Sequence, residues 1–243
     1  MSANSLMLYE LAGADPALRF SPQCWKVRMA LAHKNLTADG IPWRFVEKDV
    51  IAFTGQGAVP VLLHGEEAIW DSWQIALHLD ERFPNTPPLF DGASAIPVTR
   101  FVNGWADSVL LPAVARVIIL DIYDCLDDRD REYFRVTRER KFGQTLEQIA
   151  ADRPANLLML RKILTPLRQM LKGQNFIGGS RPRYADYCVF GMLMWAHCVS
   201  ATVVLEDEDL IFAWRERLLD AFDGFARSAP SIATRREEHV NGR

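Results

Sequence analysis

The sequence predicts an α/β domain followed by an all-α domain. Over roughly the first ninety residues, short β-forming runs alternate with helix signals. Residues 85–97 are rich in proline, glycine, alanine and serine, a composition typical of a linker between domains. Beyond the linker, apolar residues recur with helical spacing and no strand is indicated.

In the α/β domain, the first strand and the first helix follow from local signals. Residues 6–11 form a short β-rich run. Ser21 and Pro22 then open a helix, because serine is a favoured N-cap and proline fits the first helical turn. Cationic residues and Asn35 indicate where this helix ends.

The rest of the α/β domain contains a strand, a hairpin and a second helix. A strand is predicted near residues 43–46. Residues 59–63 and 68–70 flank a short polar connection and predict a hairpin. Asp71 and Ser72 then open a helix, since both residue types are favoured at helix starts.

Helical periodicity predicts the all-α domain. Its helices are expected at residues 98–126, with a kink or break at Pro112, and at residues 127–141, 157–171, 186–205 and 210–226. Residues 235–243 should fray.

Two of these helices have an alternative interpretation. Residues 187–205 carry no formal charge and could just span a bilayer, but polar residues dilute the run, and a central helix of a bundle is apolar on every side. We therefore predict a buried core helix. Residues 127–141 mix eleven charges of both signs, which favours a solvated helix with Tyr133 and Phe134 turned inward over a nucleic-acid patch.

The composition narrows the classes of function. The chain has 243 residues, 49% of them hydrophobic and 24% charged, as in an ordinary globular protein. Its 28 basic and 31 acidic residues give a formal charge of -3, which argues against nucleic-acid or anionic-membrane partners. The four cysteines are few and irregularly spaced, so we expect no metal site and a reducing, cytoplasmic environment. No secretory signal is visible in residues 1–15.

Ser21 is the most informative single residue. Its default role is that of an N-cap, but a helix N-terminus also stabilises an anion such as a thiolate. Cys24 lies three residues on, where the same field would lower a thiol pKa. In redox enzymes of this local layout the attacking sulfur occupies the first position, which is Ser21 here. We therefore predict that Cys24 is a small buried hydrophobe.

Two further features are weak individually. Proline at a strand start, as at Val59-Pro60, can hold a cis peptide and turn the preceding backbone towards an extended ligand. The helix start at Asp71 and Ser72 is a routine cap, yet its backbone N–H groups also suit a carboxylate. Together with Ser21, in this order and spacing, these features form a specific pattern.

That pattern resembles the glutathione S-transferase superfamily. The segments that carry the resemblance are FSPQCWKVRMALAHKNL, GAVPVLL, IWDSWQIALHLDERFP and FIGGSRPRYADY. More narrowly, WKVRMALAHK, DSWQIA and EYFRVTRERKFGQTLEQI resemble the branch of bacterial β-etherases and fungal-type transferases. The resemblance implies a thioredoxin-like domain at residues 1–85, a linker at 86–97, and an all-helical domain at 98–243 that forms a hydrophobic acceptor site.

The resemblance also implies roles for individual residues. Ser21 matches the hydroxyl that hydrogen-bonds and activates the glutathione sulfur. Val59, before Pro60, matches the residue whose backbone pairs with the cysteinyl part of glutathione. The remaining matches are Asp71 and Ser72 for the γ-glutamyl end, with Gln56 and Lys48 as candidates for the glycyl carboxylate. One departure is Arg183, which stands where the family usually has a serine or threonine cap, while Asp186 is kept.

The implied function is a reaction of the glutathione thiolate with a small hydrophobic, aromatic electrophile. A free thiol is mostly protonated at neutral pH, so a hydrogen bond from Ser21 and the helix dipole would increase the nucleophilic fraction. The reaction would be conjugation or aryl-ether cleavage. The alternatives are a thiol reductase that uses Cys24 and a glutathione-binding protein without turnover.

The family also implies a homodimer and an acceptor site between the two domains. Four apolar residues of the first all-α segment are candidates to line that site, although apolar residues at helical spacing are more often core. They are Trp105, Leu110, Val114 and Ile118.

Overall fold

A computed structural model of the chain describes residues 5–232. The strands are β1 (Leu6–Leu11), β2 (Asp39–Trp43), β3 (Val61–His64) and β4 (Glu67–Trp70). The helices are α1 (Pro22–His33), α2 (Ser72–Arg82), α3 (Ala95–Trp105), α4 (Leu111–Asp124), α5 (Asp128–Phe142), α6 (Leu146–Ala151), α7 (Arg153–Ile163), α8 (Thr165–Leu171), α9 (Tyr184–Val199) and α10 (Leu210–Gly224). A 3-10 helix spans Lys48–Thr54, and a π-helical segment, Ala106–Leu110, joins α3 to α4. The predicted fraying of residues 235–243 lies outside the described residues.

The first part of the chain forms a four-stranded mixed sheet with the order β2-β1-β3-β4. β1 pairs parallel to β2 and antiparallel to β3, and β3 and β4 form the expected hairpin. The remaining elements, α3 to α10, are helical. The predicted fold class, a thioredoxin-like α/β part followed by a helical part, is therefore confirmed.

The position of β2 differs from the prediction. The strand covers Asp39–Trp43 instead of residues 43–46 and includes Pro42. An edge strand tolerates a proline because one of its sides has no ladder partner. Beyond the strand, the backbone N–H groups of Phe45 and Val46 donate to the carboxylate of Asp130 at 3.1 Å, so they do not extend the sheet.

The two predicted helix starts are formed by the expected caps. Ser21 Oγ accepts a hydrogen bond from the backbone N–H of Cys24 at 3.3 Å, and Pro22 is the first residue of α1. Asp71 accepts from the N–H groups of Trp73 and Gln74 at the start of α2, at 3.0 and 3.2 Å. These bonds satisfy backbone donors that have no partner within a helix.

The apolar segment of the all-α part is a core helix, as predicted. Nearly all residues of α9 are buried, and it packs against α1, α3 and α4. In the part of the chain that the structure describes, no helix is long and apolar enough to cross a membrane. In α5, Phe134 is fully buried and Tyr133 is half-buried, while Val136 faces outward.

The start of α9 lacks a side-chain cap from Arg183, and a different arrangement replaces it. The buried carboxylate of Asp186 accepts four hydrogen bonds. Its donors, at 2.7 to 3.0 Å, are the backbone N–H groups of Ile177, Gly178 and Arg183 and the indole N–H of Trp214. Asp186 therefore holds the preceding loop and α10 against α9.

The connection between α2 and α3 spans residues 83–94, so it begins and ends three residues earlier than the predicted linker. Helix α3 begins at Ala95, so the last three positions of residues 86–97 are helical. Pro112 lies at the start of α4, directly after the π-helical segment, where its missing N–H costs least.

Candidate functional site

A cavity of about 340 Å³ lies between the α/β part and the helical part. One wall comes from the start of α1, the end of β1 and the loop before β3, and the other from α4, α5 and α9. A larger cavity, about 570 Å³, is lined by Leu8 and Glu10 of β1, whereas Leu11 lines the smaller one. Because side chains alternate along a strand, Leu8 and Glu10 lie on the opposite face of β1 from Leu11. It contains none of the predicted site residues, and the smaller cavity is the functional candidate.

Ser21 lines this smaller cavity at the N-terminus of α1. The first turn of α1 contains no acidic residue, so no carboxylate of that turn offsets the partial positive charge of the helix end. Pro22 lines the cavity beside Ser21. A serine hydroxyl that caps a helix through its oxygen still has one O–H to donate to a bound anion.

Lys48 lines the cavity, but Gln56 does not. The ammonium group of Lys48 donates to the carbonyl of Gly57 and lies over the rings of Trp43 and Tyr133, 4.6 and 5.3 Å from their centroids. The amide of Gln56 is bonded to the backbone of its own loop, at 2.7 Å to the carbonyl of Ala58 and 3.2 Å to the N–H of Ala58.

Val59 also lines the cavity, and the Val59-Pro60 peptide is cis. Pro60 itself is buried, and β3 begins at the following residue. In the pairing of β1 with β3, Tyr9 lies opposite Val61. Tyr9 is two residues before Leu11, which lines the cavity. The sheet thus holds this loop beside the start of α1.

Asp71 and Ser72 do not line the cavity but are linked to the start of α1. Asp71 has a left-handed backbone, with φ of 69°, a strained conformation for a residue other than glycine. Ser72 donates to Gln23 Oε1 at 3.0 Å, two residues from Ser21. Gln23 in turn donates to Asp107 at 2.6 Å. The starts of α1 and α2 are therefore neighbours.

Cys24 is packed in the core and is not among the residues that line the cavity. Its side chain is 1% exposed, and burial raises its pKa to about 12, with the charge of Glu10 acting in the same direction. The helix-dipole effect that lowers the pKa of exposed thiols is thus outweighed by desolvation.

The residues that form the helical wall of the cavity are not those that helical spacing suggests. Leu110, Val114 and Ile118 are fully buried in the core, and Trp105 lines a separate apolar groove. The wall is formed instead by Leu111, Pro112, Ala115, Ile119 and Ile122 of α4, Tyr133, Phe134, Arg138, Lys141 and Phe142 of α5, and Trp195 of α9. The apolar stripe of α4 that is strongest in sequence thus packs into the bundle, and a neighbouring face lines the cavity.

Two family matches decide the classification. Residues 16–87 match the glutathione S-transferase N-terminal domain, and residues 98–222 match the glutathione S-transferase C-terminal domain. The chain belongs to the glutathione S-transferase family. Among the residues that the structure describes in this family member, no group of three or more His, Cys, Asp or Glu side chains could hold a metal ion.

Relatives and solved structures of glutathione S-transferases agree with this classification. The chain is 31% identical over 147 residues to the glutathione S-transferase-like protein ustS of Aspergillus flavus, a match that covers 54% of this chain and 51% of that protein. The chain spans about half or less of the length of the curated relatives that it matches.

Two solved structures share the fold of this glutathione S-transferase. The first, CsGST63524 of Ceriporiopsis subvermispora, has a TM-score of 0.81 at 22% identity, over 91% of this chain and 98% of that chain. The second, GSTFuA3 of Phanerochaete chrysosporium, has a TM-score of 0.76 at 20% identity, over 91% and 97%.

Sequence reasoning missed the basic residues of the glutathione S-transferase cavity. Arg138 and Lys141 belong to the charged segment for which the sequence predicts a solvated helix face. A usable signal was present, because they lie four and seven residues after Phe134, on the stripe of α5 that faces inward.

Proposed function

We propose that the protein is a glutathione-dependent transferase in which Ser21 activates the glutathione thiol for attack on a hydrophobic, aromatic electrophile. The observation that carries this proposal is the position of Ser21, at a helix N-terminus on the wall of a cavity whose opposite wall is apolar and aromatic. Membership of the family supports it, and the similar structure from Ceriporiopsis subvermispora was solved in complex with glutathione.

In the proposed reaction, the Ser21 O–H donates to the glutathione sulfur and stabilises the thiolate. The thiol proton passes to water, and the sulfur lone pair forms a bond to an electrophilic carbon. In displacement, the electrons of the broken bond leave with a halide or a phenolate. In addition to an activated double bond, the π electrons move onto the electron-withdrawing group, and the adduct then takes a proton from water. The partial positive charge at the start of α1 favours the thiolate in the same way. Release of a phenolate would constitute aryl-ether cleavage.

Other residues would bind the rest of the glutathione molecule. We assign the backbone of Val59, next to Pro60, to the cysteinyl part, and the start of α2 at Asp71 and Ser72 to the γ-glutamyl end. For the glycyl carboxylate we favour Lys48 over Gln56, because Lys48 is a cation that lines the cavity, whereas Gln56 does not line it and its amide bonds to the backbone of Ala58. In this assignment residues 1–85 bind glutathione, 86–97 link, and 98–243 bind the acceptor.

Three finer features belong to the same proposal. We place the chain in the branch of β-etherases and fungal-type transferases on its quoted segments, and turnover of a β-aryl ether tests that placement. We expect a cytoplasmic homodimer. Sedimentation velocity tests the dimer, and a monomer mass at micromolar concentration would contradict it.

Glutathione binding and turnover test the proposed function together. The protein should be retained on immobilised glutathione, be eluted by free glutathione, and react with halodinitrobenzenes, activated alkenes or aryl ethers. Failure to bind glutathione would overturn the proposal. Binding with no reaction across the panel would favour a binding protein without turnover. A reductase that uses Cys24 is disfavoured by the burial of that thiol.

A further inference from the structure

The charged side chains that line the cavity are all basic. They are Lys48, Arg138 and Lys141, and the lining residues in the described part of the chain include no aspartate or glutamate. The rest of the lining is apolar or aromatic, apart from Ser21 and Gly57. A cavity built only to hold a neutral hydrophobic molecule needs no such excess of positive charge.

These cations also have no carboxylate partner within ion-pair distance among residues 5–232. Arg138 donates to the hydroxyl of Thr137 at 2.9 Å and lies over the rings of Phe134 and Phe45, 4.9 and 5.3 Å from their centroids. By contrast, Arg135, on the same helix, pairs with two glutamates at 2.9 and 3.0 Å.

Two of the three cations, Arg138 and Lys48, are held partly away from water, whereas Lys141 is exposed at the edge of the cavity. Burial lowers the pKa of Arg138 and of Lys48, and the charge of Arg138 lowers the pKa of Lys48 further. The carboxylate of Asp130 acts on Lys48 in the opposite direction, but both its oxygens already accept backbone N–H groups. Aromatic faces offset part of this cost, and a bound anion would offset more of it.

We propose that the electrophile is an aromatic acid, whose carboxylate is bound by Arg138 and Lys141 on α5 while its ring packs against the apolar residues of α4. This inference rests on the proposed function and specifies its substrate. Glutathione contributes a carboxylate of the same chemistry, its glycyl end, which we assign to Lys48. The experiment must therefore distinguish binding of the acceptor's carboxylate from binding of the glycyl carboxylate of glutathione.

Two acceptors that differ in a single charge distinguish these two carboxylates. In 4-chloro-3,5-dinitrobenzoate and 4-chloro-3,5-dinitrobenzotrifluoride the same thiolate displaces the same chloride, and only the first molecule is an anion. The variants are Arg138→Gln, Lys141→Gln and the double variant. Arg140→Gln is the control, because Arg140 is exposed on the same helix and does not line the cavity. Arg138→Lys retains the positive charge, and thermal melts check that each variant is folded.

In the double variant, the KM for the benzoate should rise about tenfold or more, as expected for loss of charge-assisted hydrogen bonds. The KM values for glutathione and for the benzotrifluoride should change less than about twofold, and Arg138→Lys should restore part of the benzoate affinity. A rise confined to glutathione would assign these cations to its glycyl carboxylate and overturn the inference. Equal changes for both acceptors, or no change, would also overturn it.

Binding of the product conjugates gives a readout that does not need turnover. Calorimetry compares S-(4-carboxy-2,6-dinitrophenyl)glutathione with its trifluoromethyl analogue in the same variants, and only the carboxy conjugate should lose affinity. If the trifluoromethyl conjugate binds and its acceptor reacts while the variants show no discrimination, the inference fails and the proposed function stands. If neither conjugate binds, both fail.

Discussion

Ser21 and Cys24 lie within one helical turn, but Ser21 borders the cavity and Cys24 is buried in the core. The Ser21 hydroxyl is on the wall of the cavity at the helix start, whereas the Cys24 thiol points into the core, where burial raises its pKa to about 12. A thiol with this pKa is almost entirely protonated at neutral pH and is a poor nucleophile. The chemistry that we propose therefore depends on the sulfur of glutathione and not on a sulfur of the protein.

The first prediction concerns the reactivity of Cys24. In the native protein at pH 8, iodoacetamide should leave Cys24 unmodified over an hour, while the denatured protein is alkylated fully. Cys24→Ala should keep transferase activity within about twofold and lower the free energy of unfolding by roughly 1 kcal/mol, through lost packing. Rapid labelling of Cys24, measured by peptide mass spectrometry, or loss of activity in the variant would support the reductase alternative.

At the scale of elements, His33 joins the end of α1 to the helical part. One ring nitrogen lies 2.6 Å from the hydroxyl of Tyr187 on α9, and the other lies 3.0 Å from the carbonyl of Pro88. A carbonyl can only accept, so Nε2–H donates to Pro88, and in the neutral ring Nδ1 accepts from Tyr187. Burial, with the nearby charge of Arg183, lowers the pKa of His33 to about 4.

The second prediction is a pH dependence of stability. Because the folded pKa lies below the unfolded value of about 6.5, protons bind the unfolded chain preferentially. The contribution of His33 is therefore complete above pH 6.5 and is lost as the pH falls towards 4, by at most about 3 kcal/mol. Urea unfolding should show this fall in the parent protein and a smaller fall in His33→Gln. Identical slopes in the two proteins between pH 6.5 and 4 would contradict the assignment.

The elements also show what local sequence signals can predict. The caps of α1 and α2 and the hairpin were predictable, because each depends on residues within a few positions of one another. Strand β2 was misplaced because Pro42 is normally excluded from strands and is accepted here only at a sheet edge. The partner that ends the strand, Asp130, is more than eighty residues away in the chain.

At the scale of the whole molecule, the cavity exists because the helical part is held against α1. Lys26, fully buried on α1, donates to Asn103 at 2.9 Å and to Asp107 at 2.7 Å. The hydroxyl of Tyr184 on α9 donates to the carbonyl of Ser72 at 2.6 Å. These bonds join α1 and the start of α2 to α3, the π-helical segment and α9, and the last two of these pack against α4.

The sequence predicts one wall of the cavity and not the other. Sequence motifs identified residues on the α/β wall, since those residues follow one another along the chain. The face of α4 that lines the cavity depends on how that helix packs in the bundle, and the role of Arg138 depends on the position of α5. Neither can be obtained from periodicity alone, which marks the strongest apolar stripe and therefore the core.

The pKa of the bound glutathione thiol shows directly whether Ser21 activates that thiol. Ultraviolet difference absorbance of the thiolate, followed against pH, should give a thiol pKa about 1 to 2 units below that of free glutathione in the parent protein. In Ser21→Ala the value should return most of the way to that of free glutathione, and kcat/KM should fall about tenfold or more at pH 6.5. A bound thiol with the same lowered pKa in Ser21→Ala would contradict the assignment of Ser21 as the activating residue.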